Sequence, residues 1–202
     1  MKDVLSLPVS ASKVPKLGKQ AFTVFASGAS VLAVGLKRCF AAPKLFILFA
    51  LICFQNIASA QMVNDLSEFN QAVAVAQPGD TIVMANGEWH DVELVLKGKG
   101  TENKPITLKA QEPGKVKITG LSNLSVSGEY LVIEGLVFTD GHTPTGEVIA
   151  FRTSPDELAS YSRLTNVVID NFSHPERQLS DLWLAIYGKH NRIDHNAFIN
   201  KR

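Results

Sequence analysis

Cysteine is nearly missing from this chain: Cys39 and Cys53 are the only two among 202 residues, and both precede the small-residue triplet Ala58-Ser59-Ala60. A chain beginning after that triplet has no thiol, which excludes a disulfide framework, a cysteine-based zinc site and a cysteine nucleophile. Long apolar runs are missing too. Leu45 to Phe54 is an uninterrupted apolar stretch of ten residues, and a bilayer span needs roughly twenty. No Gly-x-Ser-x-Gly elbow is present, so a serine hydrolase has no support. Lys97-Gly98-Lys99-Gly100-Thr101 lacks the phosphate-loop spacing and reads as a surface turn. His190 and His195 are five apart in a strand-like segment, whereas the zinc-protease motif places its histidines four apart on a helix.

The first sixty residues differ in character from the rest. Lys37, Arg38 and Lys44 precede the apolar run, and Ala58 and Ala60 supply the small residues at −3 and −1 that signal peptidase needs. Residues 1–60 therefore read as a leader with a secretory signal whose core is 43–60, cleaved before Gln61. Residues 61–202 form the working domain, in the periplasm or outside the cell. Ile52 stands before Cys53, where lipidation needs a small residue, which argues against a lipoprotein. The preamble from Met1 to Leu36 is long for a signal, and a start at Val34 or Leu36 would give one of ordinary length.

Removing the leader changes the charge. Residues 1–60 hold seven of the 20 basic side chains and one of the 19 acidic ones, leaving 13 basic against 18 acidic, a formal −5. That balance argues against nucleic acid as a partner. An anionic ligand needs a locally basic groove.

Asp65 to Ala76 carries Leu66, Phe69, Val73 and Ala76 at helical spacing, with Asp65 or Ser67 to cap it and Gln77-Pro78-Gly79-Asp80 to stop it. After that come short β-branched runs: Thr81–Met84, Val92–Leu96, Ile106–Ala110, Val116–Thr119, Leu131–Ile133, Val148–Phe151, Asn166–Ile169, Leu184–Tyr187 and Asn191–Ile193. Ile133-Glu134-Gly135-Leu136-Val137-Phe138 matches Ile193-Asp194-His195-Asn196-Ala197-Phe198, and Val168-Ile169-Asp170-Asn171-Phe172 reads as a shortened copy. Turns of about 20–25 residues, with an insertion around Thr153 to Arg163, account for the spacing. The pattern predicts an all-β fold: a right-handed parallel β-helix, truncated, with an N-terminal capping helix. Ile186, Ile193 and Phe198 are expected at its uncovered last rung.

The segments Asn103-Lys104-Pro105-Ile106-Thr107-Leu108, Pro113-Gly114-Lys115-Val116, Gly128-Glu129-Tyr130-Leu131-Val132-Ile133-Glu134-Gly135-Leu136, His142-Thr143-Pro144-Thr145-Gly146, Pro175-Glu176-Arg177 and Tyr187 to Asn196 occur in an informative order. Together they resemble the N-terminal third of polysaccharide lyase family six, which contains alginate lyases and the dermatan-cleaving chondroitinase B. The resemblance implies β-elimination on a uronic-acid polysaccharide, with Ca²⁺ neutralising the substrate carboxylate, a lysine base and an arginine aiding departure of the leaving oxygen. It also implies that those catalytic and calcium-binding residues belong to later rungs, so none is assigned to this chain. Tyr187 to Asn196 and Pro175-Glu176-Arg177 look closer to alginate-cleaving members, making alginate the expected partner. The alternatives are a lyase acting on dermatan or chondroitin sulfate and a non-catalytic carbohydrate-binding solenoid. Arg192, Lys201 and Arg202 put positive charge where an acidic sugar could lie and are the candidate substrate-binding residues. The chain stops mid-pattern at Lys201-Arg202 with no cap, so truncation and an inactive 202-residue chain are the expectation.

N-terminal sequencing of the exported protein should begin at Gln61. An intact precursor confined to the cytoplasm would contradict the leader assignment.

Overall fold

The computed structural model describes residues 58–176, 178–179 and 181–202, and positions 43–57 of the leader core, Val34, Leu36 and both cysteines lie outside them. Strand β1, Ala60–Val63, starts at the expected cleavage point. It pairs from Ala60↔Thr81 to Val63↔Met84, so a chain beginning at Gln61 keeps three of these four pairs.

Helix α1, Leu66–Val75, is capped by Asp65, whose Oδ1 accepts the Glu68 N–H at 2.8 Å. Glu68 reaches back to accept from the Asn64 backbone N–H, also at 2.8 Å, so two otherwise orphaned donors are satisfied. Phe69 and Ala72 face the core. The stop segment is tied down by Asp80, whose two carboxylate oxygens accept from the Ser59 and Gln77 N–H groups. The helix therefore sits over the first coil, as the spacing predicts.

Beyond the helix the chain coils through three faces. Face A receives β2 (Thr81–Met84), β5 (Ile106–Ala110), β8 (Leu131–Glu134), β12 (Arg163–Thr165) and β15 (Arg192–Asp194), after β1. Face B receives β3 (Gly87–His90), β6 (Val116–Leu121), β9 (Leu136–His142), β13 (Val168–Asp170) and β16 (Ala197–Ile199). Face C receives β4 (Glu93–Lys99), β7 (Asn123–Glu129), β10 (Glu147–Ala150), β11 (Ala159–Ser160) and β14 (Leu182–Ala185). Every ladder between these strands is parallel. This is a parallel β-helix.

The register shows what drives it. On face A, Ile82, Leu108, Ile133, Leu164 and Ile193 stack in one inward column. On face B the column is Trp89, Ile118, Phe138, Ile169 and Phe198. On face C it is Leu94, Leu124, Ile149 and Leu184. Strands of three to seven residues bury enough surface only because each side chain covers the one beneath it. Full burial of a Leu, Ile or Phe contributes about 1.5–3 kcal/mol. Covering ends with the last rung, where Ile186 and Phe198 are 54% and 44% exposed while Ile193 remains partly buried.

Two sequence expectations are corrected by this register. Ile169 is not the counterpart of Ile133. Leu164 holds that place, and Ile169 stacks between Phe138 and Phe198. Asn166–Ile169 is accordingly no single strand: it crosses the bend from β12 to β13, with Asn166 at φ 53°. The insertion near Thr153 is also shifted. The chain leaves face C after Ala150 and rejoins it at Ala159↔Gly128, leaving Arg163 within β12.

Gly128 marks the tightest approach between rungs. It sits at φ +116° beside Gly98, and an added Cβ would collide with the Gly98 carbonyl. Gly114 has a similar requirement for positive φ, +82°, but open space around it. Gly114→Ala should therefore cost about 1–2 kcal/mol in urea unfolding, and Gly128→Ala about 3 kcal/mol or more. Equal losses would refute the close-approach argument.

Candidate functional site

The three basic residues singled out in the sequence do not converge. Arg192 projects from face A, where its Nη2 lies 2.8 Å from Asp194 Oδ2. Lys201 donates to the Asp181 backbone oxygen at 2.8 Å and lies 3.1 Å from Asp181 Oδ1. Its Nζ is 4.8 Å from the centre of the Trp183 ring, next to β14 on face C. Arg202 is exposed.

Asp194 is the centre of the Arg192 cluster. Arg163, directly below Arg192 in the ladder, donates from Nε and Nη2 to the two Asp194 oxygens at 2.9 and 2.8 Å. His195 Nδ1 is 3.1 Å from the same carboxylate. The Arg163 hydrogen bonds, more than the added positive charge, hold the Asp194 carboxyl well below the ordinary carboxylate range. A bidentate arginine–carboxylate pair of this kind ties two successive rungs together.

A concave feature lies on face C. Its lining includes the small residues Ser125 and Ala150, held in register between β7 and β10. The small side chains leave a groove of about 340 Å³ over the sheet. One wall carries Thr145 and Glu147; the other carries Arg152, Thr153, Ser154 and Pro155, where the chain leaves the ladder between β10 and β11. That excursion is pinned. Thr153 Oγ1 lies 2.7 Å from Glu157 Oε2 and 3.0 Å from Ser127 Oγ, and Lys97 donates to Glu157 Oε2 at 2.6 Å. The Lys97 hydrogen bond, assisted by Thr153, lowers the Glu157 pKa, so this anchor stays charged at neutral pH.

Arg152 is the cation of the groove. Its guanidinium lies over the Tyr187 ring, 4.0 Å from Cζ to the centroid, and its Nη2 donates to Glu147 Oε1 at 2.8 Å. The Tyr187 hydroxyl donates to the same oxygen at 2.7 Å. That hydrogen bond raises the Tyr187 pKa, so the phenol keeps its proton at neutral pH. Stacking on an aromatic face and bonding to a carboxylate fix both the plane and the rotation of the guanidinium. A walled, hydroxyl-lined trough with one oriented arginine can receive an extended polar polymer carrying negative charge.

Sequence reasoning missed Glu147, Arg152 and Tyr187 as a group. Their signal was present as polar ends on two apolar strands, Glu147 to Arg152 and Leu182 to Tyr187, but only the register Ile149↔Leu184 and Ala150↔Ala185 brings Arg152 beside Tyr187. A second cavity, about 280 Å³, lies between His142, Thr143, His174 and Asp181. Among the described residues no group of three or more His, Cys, Asp or Glu side chains is placed to hold a metal. The groove's carboxylate, Glu147, is already taken by Arg152 and Tyr187. These residues do not make a calcium site.

Comparison with known proteins adds a family context. The profile described as chondroitinase B matches residues 63–202. Among solved structures the chain is similar to the PL6 family alginate lyase AlyGC, at 56% identity and a TM-score of 0.70, covering 71% of this chain and 20% of that one. It is also similar to a mannuronic acid specific family 6 lyase from human gut microbiota, at 34% identity and a TM-score of 0.67, covering 71% and 34%. A PL6 polysaccharide lyase from Pseudopedobacter saltans matches at 38% identity and a TM-score of 0.63, covering 68% and 30%. The chain thus spans between a fifth and about a third of the length of these relatives. A search of curated proteins returned no match.

The Asp194 network has a pH signature. A carboxyl whose pKa is depressed on folding stabilises the fold above its unfolded value, about 3.9, and that contribution is lost as pH falls through the folded value. The stability difference between wild type and Asp194→Asn should therefore be level from pH 8 down to about 4 and shrink below that. Urea unfolding across this range checks it; a difference that fades between pH 7 and 5 would contradict the pairing.

Proposed function

Because this chain belongs to the chondroitinase B family, polysaccharide lyase family six, we propose that these rungs are part of an exported lyase that cleaves alginate by β-elimination. The observation that carries the reading is the 56% identity to an alginate lyase over a β-helix of the same coil, with a groove on face C whose single oriented cation suits an anionic sugar chain.

In this reaction a base takes the proton from C5 of a uronate. The electron pair forms a C4=C5 double bond, and the glycosidic oxygen leaves from C4 with a proton supplied by an acid. The C5 proton is acidic enough only when the neighbouring carboxylate's charge is offset. Ca²⁺ supplies that charge when bound, and the base and acid are a lysine and an arginine by family resemblance. This chain's part is to hold the polymer along face C, so that it runs parallel to the helix axis from rung to rung.

The setting is periplasmic or extracellular, where such polymers are met, and the signal expected at 43–60 supports it. No helix among the described residues is long and apolar enough to cross a membrane. Arg192 and Lys201, each paired with an aspartate, are proposed as secondary contacts at the last rung, with exposed Arg202. The chondroitinase B description of the matching profile favours a second reading, cleavage of dermatan sulfate.

The whole protein, incubated with each polymer, should release unsaturated uronate from alginate at least about tenfold faster than from dermatan sulfate, the scale set by one or two lost polar contacts. A calcium chelator should abolish the absorbance. Faster release from dermatan sulfate would establish the second reading, and no release from either would overturn both.

A further inference from the structure

We propose that Arg152 is the receptor for a uronate carboxylate in the face C groove, with Glu147 and Tyr187 as the residues that position it. The assignment rests on the lyase reading above and deepens it, by naming the group that tells an acidic sugar from a neutral one.

The argument begins with donors. A guanidinium carries five N–H donors in a planar fork. The hydrogen bond to Glu147 Oε1 uses one of them. Among the described residues no other protein acceptor is in hydrogen-bond range of the guanidinium, which leaves it a full bidentate edge for a second carboxylate. Both side chains line the groove, and Arg152, 35% exposed against 16% for Glu147, is the more accessible of the two.

Position supports the same role. Arg152 lies at the point where the chain leaves β10, with the small lining residue Ala150 two positions earlier. A pyranose ring over Ser125 and Ala150 has room that a larger side chain would take. Thr145 and Thr153 line it with hydroxyls that already bond within the wall, and Ser154 Oγ, which accepts from the Glu157 N–H, can donate to a sugar hydroxyl. Lys97, on the preceding rungs of this face, anchors the wall through Glu157, and among the residues that line the groove the cation is Arg152.

Glu147 and Tyr187 make the arrangement rigid; Glu147 offsets part of the guanidinium's charge through the ion pair, and what remains for a ligand is the set of N–H donors it does not use. Both Arg152 and the Tyr187 hydroxyl converge on one oxygen, Glu147 Oε1. The ring beneath the guanidinium keeps its plane fixed. When a sugar carboxylate takes the free edge, no buried group loses a partner, so binding carries no desolvated orphan. An oriented fork also distinguishes arginine from lysine here, since an ammonium offers a point charge and no paired donors.

The test compares an alginate hexasaccharide with the same oligosaccharide after reduction of its carboxyls to alcohols, titrated into the chain by calorimetry and by amide NMR. The wild type should bind the acidic form. Arg152→Ala should weaken that binding at least about tenfold, the effect of losing one charge-assisted hydrogen-bonded pair. Arg152→Lys should fall between the two. The reduced form should bind weakly and equally to wild type and Arg152→Ala. Unchanged amide signals of Ile149 and Leu184 check that the ladder is intact, and the wild-type comparison of the two oligosaccharides needs no variant at all. Equal affinity of wild type for both forms, or equal affinity of wild type and Arg152→Ala for the acidic form, overturns the assignment and leaves the lyase reading standing. A wild-type chain that binds neither form overturns the assignment as well. The lyase reading fails separately, if the whole protein releases no unsaturated product.

Discussion

In-register stacking of like side chains is the constraint on which everything else in this molecule depends. A strand of three or four residues, such as β12 or β13, buries almost nothing alone. Placed between equivalent strands above and below, its inward residue is sealed: Leu164 between Ile133 and Ile193, Ile169 between Phe138 and Phe198. The terminal surfaces pay for the same rule. α1 covers the first coil with Phe69 and Ala72, and the last rung leaves Phe198 and Ile199 nearly half exposed.

Stacking also explains the corners. Bends in a coil this tight require left-handed backbone, and Asn166, Asn171, His195 and Asn200 all have positive φ there. Small polar side chains tolerate that region by bonding locally. Tyr130 and Tyr161 do so too, at φ 54°, although bulky residues seldom adopt it. Their rings, with His190, form a stack with centroids 5.0 and 4.7 Å apart. Aromatic pairs of this geometry contribute about 0.5–1.5 kcal/mol each, comparable with the strain they offset.

Because the coil is so regular, the face C trough forms where it is interrupted. The excursion between β10 and β11 lifts Arg152 to Pro155 off the sheet and turns a flat face into a trough. Polar pairs that would add little on an open surface become specific in this place. Thr153, Ser127, Glu157 and Lys97 hold the wall, and Glu147 with Tyr187 orients the guanidinium. The trough thereby holds one oriented guanidinium, paired with Glu147, in an otherwise acidic domain.

The amino-acid order alone determined the fold class, because short β-branched runs separated by turn residues fit a stacked coil and little else. It determined α1 and its aspartate cap through local spacing, and the family through the order of segments from Asn103 to Asn196. It misled wherever pairing partners decide. β7, Asn123–Glu129, was not recognised, since its serines and glycine have weak strand preference. It becomes a strand because β4 pairs with it along one side and β10 and β11 along the other. Register belongs to the same class. Whether Leu164 or Ile169 answers Ile133 depends on how many residues leave the ladder in between, which no local pattern reports. The groove depends on it most, because Glu147, Arg152 and Tyr187 are up to 40 residues apart and meet only when one turn is laid on the next.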